Sequence, residues 1–539
     1  MKTKAMMTAV LAASAAVAVQ VVQAGSLTER IAKDHKVIAT DAFAGGERTR
    51  FEFEGCEAWV VEPPAGVAVA EGCPWTWTMQ WATAFVPRTP VSKLLAKGWR
   101  HVTIMTFPHR MDETGLALSR KFQDYLVGTL GFAPKTCLIG MSWGGFFSTR
   151  YAKFNPGCVQ AVYYDCPLLN FDKFGSGKGE GPWTKRVPAG GWSASPEMPV
   201  NMAGAIVAQD IPVLLLYGGA DNVVPPAQNS DLFIPRYRRL GGEDLTVVRR
   251  GMYGHHPHGV EESDMSVANF FIRSFGRRQE PGKVRFSVFG SAVKRVMKDR
   301  SVDLKAAAKL LAEAGVTGFD TDYRDASIPD FIAAGLKPAS LYGFLTFDTD
   351  DLGAAQSTAF VDAAVKYGAR RVMVLPESFR PEADAKERER VTVSIVNGLR
   401  RMCAYAAKKN VLVMTEDFGN RNNVCSYGPT LDRLFASEPN LAYALDSGNF
   451  YYSGRGTDVV AFAKKWQDRI AHVHLKDQAK EDAHSYRTLG EGAVPNAELL
   501  RLVGELGYGG WYTIENPVGD DYLTDIVRQC DYVLKALRR

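Results

Sequence analysis

The chain carries almost no net charge. Its 64 basic and 59 acidic side chains, over 539 residues, leave a formal +5. That balance offers no case for nucleic acid or for an acidic partner. Cysteine is also sparse. The eight, at 56, 73, 137, 158, 166, 403, 425 and 530, are too few to staple a fold of this size. The absence of any C-x-x-C removes a zinc ribbon. Beyond the first 24 residues no run is long and apolar enough to span a membrane. A hydrophobic content of 46% and a charged content of 23% are those of an ordinary globular protein. The length predicts two or more domains.

The N-terminus departs from this average. Met1-Lys-Thr-Lys4 is a short basic start, Ala5 to Val22 is small and apolar, and Val22-Gln-Ala24 suits a small-residue cleavage site before Gly25. Residues 1–24 therefore predict a secretory signal peptide and a secreted or periplasmic product, with no membrane association after cleavage. The lack of a nearby cysteine argues against lipid attachment. Disulfides are permitted after export, and the close spacing of Cys56 and Cys73 makes them candidates to pair.

What is present in the first half is organised around Cys137-Leu-Ile-Gly-Met-Ser-Trp-Gly-Gly145. An apolar strand runs into Gly140-Met-Ser142-Trp-Gly144, and Phe146 to Phe154 reads as helix. A sharp strand-to-helix turn with glycine two residues either side of a serine holds that serine exposed and strained. A serine hydroxyl needs a base within hydrogen-bond reach and a group to orient the base. Val213-Leu-Leu-Leu-Tyr-Gly-Gly-Ala-Asp221 offers an acid after a strand. Gly254-His255-His256-Pro-His258-Gly259 offers a base after the strand at 245–248. His255 is preferred because it directly follows Gly254, with His256 and His258 still open. Asp165, after the strand ending Val162-Tyr-Tyr-Asp165, is a second acid candidate.

The order Ser, acid, His resembles the α/β-hydrolase family over roughly residues 40 to 275. By that resemblance Ser142 is the nucleophile, Asp221 the acid and His255 the base, in a mostly parallel sheet flanked by helices. The resemblance also implies an oxyanion hole, from Trp143 and the aromatic loop opening at Cys73-Pro-Trp-Thr-Trp77. Trp75, Trp77 and Trp81 either line a sugar or acyl pocket or belong to the core. The Gly- and Pro-rich residues 167–205 fall where this family carries a lid between its sixth and seventh strands. Residues 25–47 read as an extended lead-in, Glu113 to Leu130 as an amphipathic helix, and 263–274 as a closing helix capped by Ser263. The charged, Pro-Gly-containing stretch 276–283 is a domain boundary. The first domain is thus 25–275.

From Val284 the rhythm changes to short strands alternating with helices. Strands are expected at 284–289, 318–322, 338–344, 371–375, 411–416, 441–446, 470–475 and 510–515. Eight strand–helix units in about 255 residues suit a (β/α)8 barrel over 284–539. The last four strands end in Glu416, Asp446, His474 and Glu515, which a barrel gathers at one rim. Such an oxygen-rich set suits Mn²⁺, Mg²⁺ or Co²⁺. His472 shares the face of His474 one layer deeper, and Glu377 is either a further polar group in the mouth or surface.

This half is similar to the xylose isomerase-like superfamily, in particular its sugar epimerase and hydroxypyruvate-isomerase-like members. The resemblance implies that Glu416, Asp446, His474 and Glu515 hold one divalent ion. It also implies that Glu416 and Glu515 move a proton on the carbon beside a carbonyl, which the ion polarises while stabilising the enediolate. Leu489-Gly-Glu491-Gly492 matches the family's loop after strand seven. Asn449 stands where many members carry histidine, and it cannot carry a proton. The reading is an exported α/β protein: a serine esterase fused to a metal-dependent sugar isomerase or epimerase, acting on a small carbohydrate or its ester. Its rivals are a phosphodiesterase or endonuclease-like barrel, which wants more metal-binding histidines and a basic groove, and a glycan-binding module without catalysis.

Overall fold

The computed structural model describes residues 26–172, 179–347, 350–480 and 485–538. The expected signal peptide lies outside them. No helix among the described residues is long and apolar enough to cross a membrane.

The first half builds one nine-stranded sheet: β1 (Val37–Phe43), β2 (Gly46–Phe53), β3 (Cys56–Val61), β4 (Trp75–Thr78), β5 (Arg100–Ile104), β6 (Thr136–Met141), β7 (Val159–Asp165), β8 (Val213–Gly218) and β9 (Leu245–Arg250). The spatial order is β1-β2-β3-β5-β4-β6-β7-β8-β9. β1, β2, β3 and β5 pair antiparallel, and from β5 to β9 every pairing is parallel, so the sheet is mixed. Every residue of β6, β7 and β8 is buried, as central parallel strands covered on both faces require. Alternate residues serve the two faces. Leu138, Val162 and Leu215 enter one apolar cluster, while Cys137, Ile139 and Tyr163 enter another.

Three expectations need correction, and one open alternative is decided. Residues 25–47 are no extended lead-in: Leu27–Asp34 is a helix. Ser26 caps it, accepting from the Glu29 amide while Glu29 accepts in return, and β1 follows. Trp75 and Trp77 lie in β4 and are fully buried, so they belong to the core. The closing helix is Ser266–Phe275, and Asp264 rather than Ser263 accepts from its first amide. All eight cysteines are free. Cys56 and Cys73 cannot meet, because β5 runs between β3 and β4. Cys56 begins β3 beside the C-terminal end of β5, whereas Cys73 precedes β4 at the N-terminal end of β5. The helix over 113–130 is Glu113–Gly128, started by Asp112 accepting from Gly115.

The second half is a closed barrel of parallel strands: β10 (Arg285–Phe289), β11 (Val316–Asp322), β12 (Lys337–Leu345), β13 (Arg371–Pro376), β14 (Leu412–Glu416), β15 (Ala442–Asp446) and β16 (Ile470–Leu475). A ribbon of β17 (Asp477–Gln478) and β18 (Tyr486–Arg487) follows, and then β19 (Trp511–Ile514) closes the barrel on β10. Strand ends fall within two residues of the expected ones. Met373, Met414, Ala442, Ala444 and Ala471 pack together inside, while the large apolar cluster lies between strands and helices.

The barrel turns the N-terminal ends of its strands toward the first unit. Arg285, first in β10, donates to the carbonyls of Gly241 and Gly509 at 3.0 and 2.9 Å. Arg371, first in β13, donates to the Arg238 carbonyl. The Gly509 amide donates to the Leu240 carbonyl at 2.8 Å, and a Cβ on Gly241 would lie 2.2 Å from the Gly510 nitrogen. Only glycine permits that approach. The C-terminal mouth therefore faces away from the sheet. The stretch 276–283 is pinned to the sheet: Gln279 donates to the Val159 and Gln160 carbonyls, and Gly282 to Ala208.

His101 in β5 is wholly buried, with Nδ1 2.9 Å from Thr76 Oγ1, and burial pushes its pKa from 6.5 down to about 3. The unfolded chain takes up that proton near pH 6.5 and the folded one does not. Stability is therefore complete above about pH 6.5 and falls as pH drops toward 3. Between about pH 7 and about pH 4.5, wild type should lose about 2 to 3 kcal/mol more stability than His101→Gln, read from urea unfolding at the two pH values.

Candidate active sites

The β6 strand ends at Met141, and Ser142 takes φ 50° and ψ −118° before the helix Trp143–Phe154 begins. Positive φ at a residue with a Cβ is strained, and the surroundings hold it there. The Ser142 amide donates to the Asp165 carbonyl at 2.9 Å, and its carbonyl accepts from Leu168 at 2.8 Å. Crowding requires glycine at 140 and 145, while a Cβ on Gly144 would meet nothing nearer than 3.5 Å. A Cβ on Gly140 would lie 2.9 Å from Ser148 Oγ, and one on Gly145 would lie 2.4 Å from Pro167 Cβ.

Ser142, His255 and Asp221 come together in one line. His255 Nε2 is 3.1 Å from Ser142 Oγ, and His255 Nδ1 is 2.7 Å from Asp221 Oδ2. Asp221 Oδ1 accepts from the amides of Val223 and Val224 at 2.9 and 2.8 Å. Burial works against its charge, but His255 and the two amides outweigh burial and hold its pKa below the usual range. Asp165 is not the partner of His255. Its Oδ1 is 3.0 Å from His258 Nδ1, and its Oδ2 accepts from the Gly259 amide and, at 2.6 Å, from the Tyr163 hydroxyl. His256 is exposed and stacks on Phe85.

The aromatic loop starts later than expected, because residues 75–78 are strand. The Gln80 amide reaches the start of the helix behind Ser142, 3.5 Å from where a Cβ on Gly144 would sit. Trp81, with φ 62°, is 43% exposed and lies against Phe107, which meets Trp143 edge-on. The segment 179–205 carries short helical turns between β7 and β8. Counted along this chain, those are the seventh and eighth strands. Arg150 fastens it by donating to the Glu197 carboxylate and carbonyl, with Trp183 stacked on the guanidinium.

In the barrel, one ligand atom from each of Glu416, Asp446, His474 and Glu515 lies within 4.8 Å of the others. His474 Nδ1 is 2.6 Å from Glu416 Oε1 and 3.7 Å from Glu515 Oε2. Glu515 Oε2 and Asp446 Oδ2 are buried without a hydrogen bond, although Asp446 Oδ2 is 3.0 Å from Lys476 Nζ. Three converging carboxylates with two unsatisfied oxygens, plus one imidazole nitrogen, fit a divalent cation. Burial raises Asp446 well above the usual carboxylate range, against the pull of Lys476. Glu515 is lowered, because Lys476 and His474 overcome its burial. Glu377 follows β13 at the same end of the barrel, its carboxylate accepting from the Phe347 amide at 3.0 Å.

Two residues of this mouth escaped the sequence reading. Lys476 donates to Glu515 Oε1 at 2.6 Å and to Asn449 Oδ1 at 3.0 Å. The alternation His472, His474, Lys476 along one strand face could have pointed to it. Asn449 also donates to the Asp417 carbonyl, so its amide holds Lys476 in position. Asp320, in β11, lies 3.0 Å from His472 Nε2 and 3.9 Å from His474 Nε2 and accepts from Thr513 and Ser340. No local pattern marks it, because His472 and His474 lie on a strand far along the chain. Asp477 receives the amides of Gly490, Gly492 and Val494 and so shapes the loop at 489–492.

Removing the ammonium by Lys476→Met should leave two buried carboxylates uncompensated and cost about 3 to 5 kcal/mol in chelator. Saturating Mn²⁺ should recover most of that loss. Thermal unfolding of both proteins with and without the ion checks this, and an equal loss in both conditions would mean that no cation enters between those carboxylates.

The family model described as a xylose isomerase-like TIM barrel matches residues 291–534. Inosose dehydratase of Clostridium botulinum (strain Alaska E43 / Type E3) is 27% identical over 139 residues, 22% of this chain and 45% of that protein. Inosose dehydratase of Erwinia tasmaniensis is 28% identical over 139 residues, 22% and 46% of the two chains. The chain thus spans a little under half the length of these curated relatives. Among solved structures, an L-ribulose 3-epimerase is 15% identical, with 48% of this chain and 95% of that chain covered at a TM-score of 0.39. Eight parallel strands, β10 to β16 and β19, close the barrel whose residues 291–534 match the xylose isomerase-like TIM barrel family, with Glu416, Asp446, His474 and Glu515 at one end.

Proposed function

We propose that the chain acts twice on carbohydrate. In this reading Ser142 hydrolyses an ester in a unit of α/β-hydrolase type, and the barrel isomerises or epimerises a sugar by proton transfer. The convergence of Glu416, Asp446, His474 and Glu515 carries the barrel assignment. The line Asp221–His255–Ser142 supports the ester assignment, as does the parallel run of strands behind the Ser142 turn. The basic, then apolar, residues 1–24 support export.

In the first unit Asp221 keeps His255 Nδ1 protonated, which leaves Nε2 to take the Ser142 proton as Oγ attacks the carbonyl carbon. The amide of Trp143 and one from the loop after β4 receive the developing oxyanion. His255 then returns the proton to the leaving alcohol, and water repeats the sequence to release the acid.

In the barrel, Glu416, Asp446, His474 and Glu515 would hold a divalent ion, which when bound polarises a substrate carbonyl. Lys476 and His474 favour the charged form of Glu515, so it takes the proton from the adjacent carbon. Glu416, steadied by His474, exchanges a proton at the other face. Asn449 keeps Lys476 against Glu515 and moves no proton itself. The same first step opens a dehydration, and relatives named inosose dehydratase favour that as a second outcome. Because the barrel mouth faces away from the sheet, a deacylated sugar would travel between the sites through solvent.

Ser142→Ala should end fluorophosphonate labelling and lower hydrolysis of activated esters about a thousandfold or more, with the barrel reaction unchanged. Glu515→Gln should abolish solvent-deuterium exchange beside the carbonyl and spare ester hydrolysis. Equal ester rates for wild type and Ser142→Ala would remove the first assignment. A metal-replete barrel that exchanges no carbon-bound hydrogen of any tested ketose or inosose would remove the second.

A further inference from the structure

The pair Asp165–His258 has no part in the reaction proposed for Ser142, yet it is built with the same care as Asp221–His255. Asp165 is fully buried, and its carboxylate is filled by His258 Nδ1, the Gly259 amide and the Tyr163 hydroxyl. His255 and His258 therefore have Nδ1 tied to a buried carboxylate, which leaves only Nε2 of each for a further partner. A histidine whose second nitrogen is held by a carboxylate is the usual form of a metal ligand, because the carboxylate fixes the tautomer and raises the basicity of the free nitrogen. The third histidine completes the arrangement. The ring centroids of His255, His256 and His258 lie 4.7 to 4.9 Å apart, each pair nearly perpendicular. One ring nitrogen from each lies within 4.8 Å of the others. His256 is exposed, so an ion has a way in from solvent.

We propose that His255, His256 and His258 form a second, inhibitory metal site that takes a borderline cation such as Zn²⁺. Three imidazole nitrogens suit zinc, and they differ in kind from the carboxylate-rich barrel mouth. The fourth ligand is water or Ser142 Oγ, which already lies 3.1 Å from His255 Nε2. Occupation commits the Nε2 lone pair of His255 to the ion. That lone pair can then no longer accept the Ser142 proton, so the ion switches the serine off. The site stands on the histidine geometry, while its inhibitory effect rests on the reading of Ser142 as nucleophile.

The test uses the full chain after chelation, with fluorophosphonate labelling of Ser142 followed by mass spectrometry over a Zn²⁺ titration. Zinc should slow labelling of wild type at least about tenfold, reversibly with EDTA. His256→Ala should label normally without zinc and need about 10- to 100-fold more zinc for the same protection. In parallel, Co²⁺ is added to a Glu416→Ala/Asp446→Ala chain, which silences the barrel mouth. It should develop a visible absorption band that His256→Ala or His258→Gln removes. Zinc that leaves wild-type labelling unchanged, or protects His256→Ala equally, overturns the proposal, as does a cobalt band indifferent to both histidine substitutions. If Ser142 takes no label even without metal, it is the nucleophile reading that fails, and the cobalt band still decides the site.

Discussion

A carboxylate carried out of water keeps its charge only where donors or a cation meet it, and leaving one alone costs several kcal/mol. Both mouths of this protein are arranged around that constraint. Asp221 is met by His255 and two amides, Asp165 by His258, an amide and a phenol. In the barrel, Glu416 is met by His474 and Glu515 by Lys476. The imidazoles and the ammonium are thereby held in single orientations. The two oxygens left unsatisfied, on Asp446 and Glu515, lie where the four groups converge.

The folds supply these meetings through strand order. In the sheet, β6, β7 and β8 are consecutive neighbours, so Ser142, Asp165 and Asp221 emerge side by side at one edge although 79 positions separate the first from the last. In the barrel, β14, β15, β16 and β19 are likewise consecutive, so Glu416, Asp446, His474 and Glu515, each within one residue of its strand's C-terminal end, converge. A one-residue slip in register between β15 and β16, at Tyr443 and Ala444, sets the spacing at which Asp446 pairs with His474.

The two units meet through the floor of the barrel. Gly241 permits backbone-to-backbone approach to Gly509 and Gly510, and Arg285 and Arg371 supply donors to carbonyls that the contact would otherwise leave bare. This keeps each mouth open to solvent on its own side.

Local chemistry made much of this legible. The Ser142 turn is written in six consecutive residues, since crowding at Gly140 and the strain at Ser142 arise within one strand-to-helix junction. The barrel strands were legible because each is a short apolar run ended by a polar residue, and period-two alternation puts His472, His474 and Lys476 on one face. Among the three histidines, position after Gly254 gave a preference for His255 but left His256 and His258 open, because the choice depends on where Asp221 and Asp165 arrive from other strands. The absent Cys56–Cys73 bridge and the hidden partner Asp320 share one cause: which strand lies next to which is decided by packing the whole sheet or barrel. The sequence by itself determined the elements and the kinds of group at their ends. Tertiary structure alone decided which of those groups touch, because contact across strands depends on order and register, and neither is encoded in any single stretch.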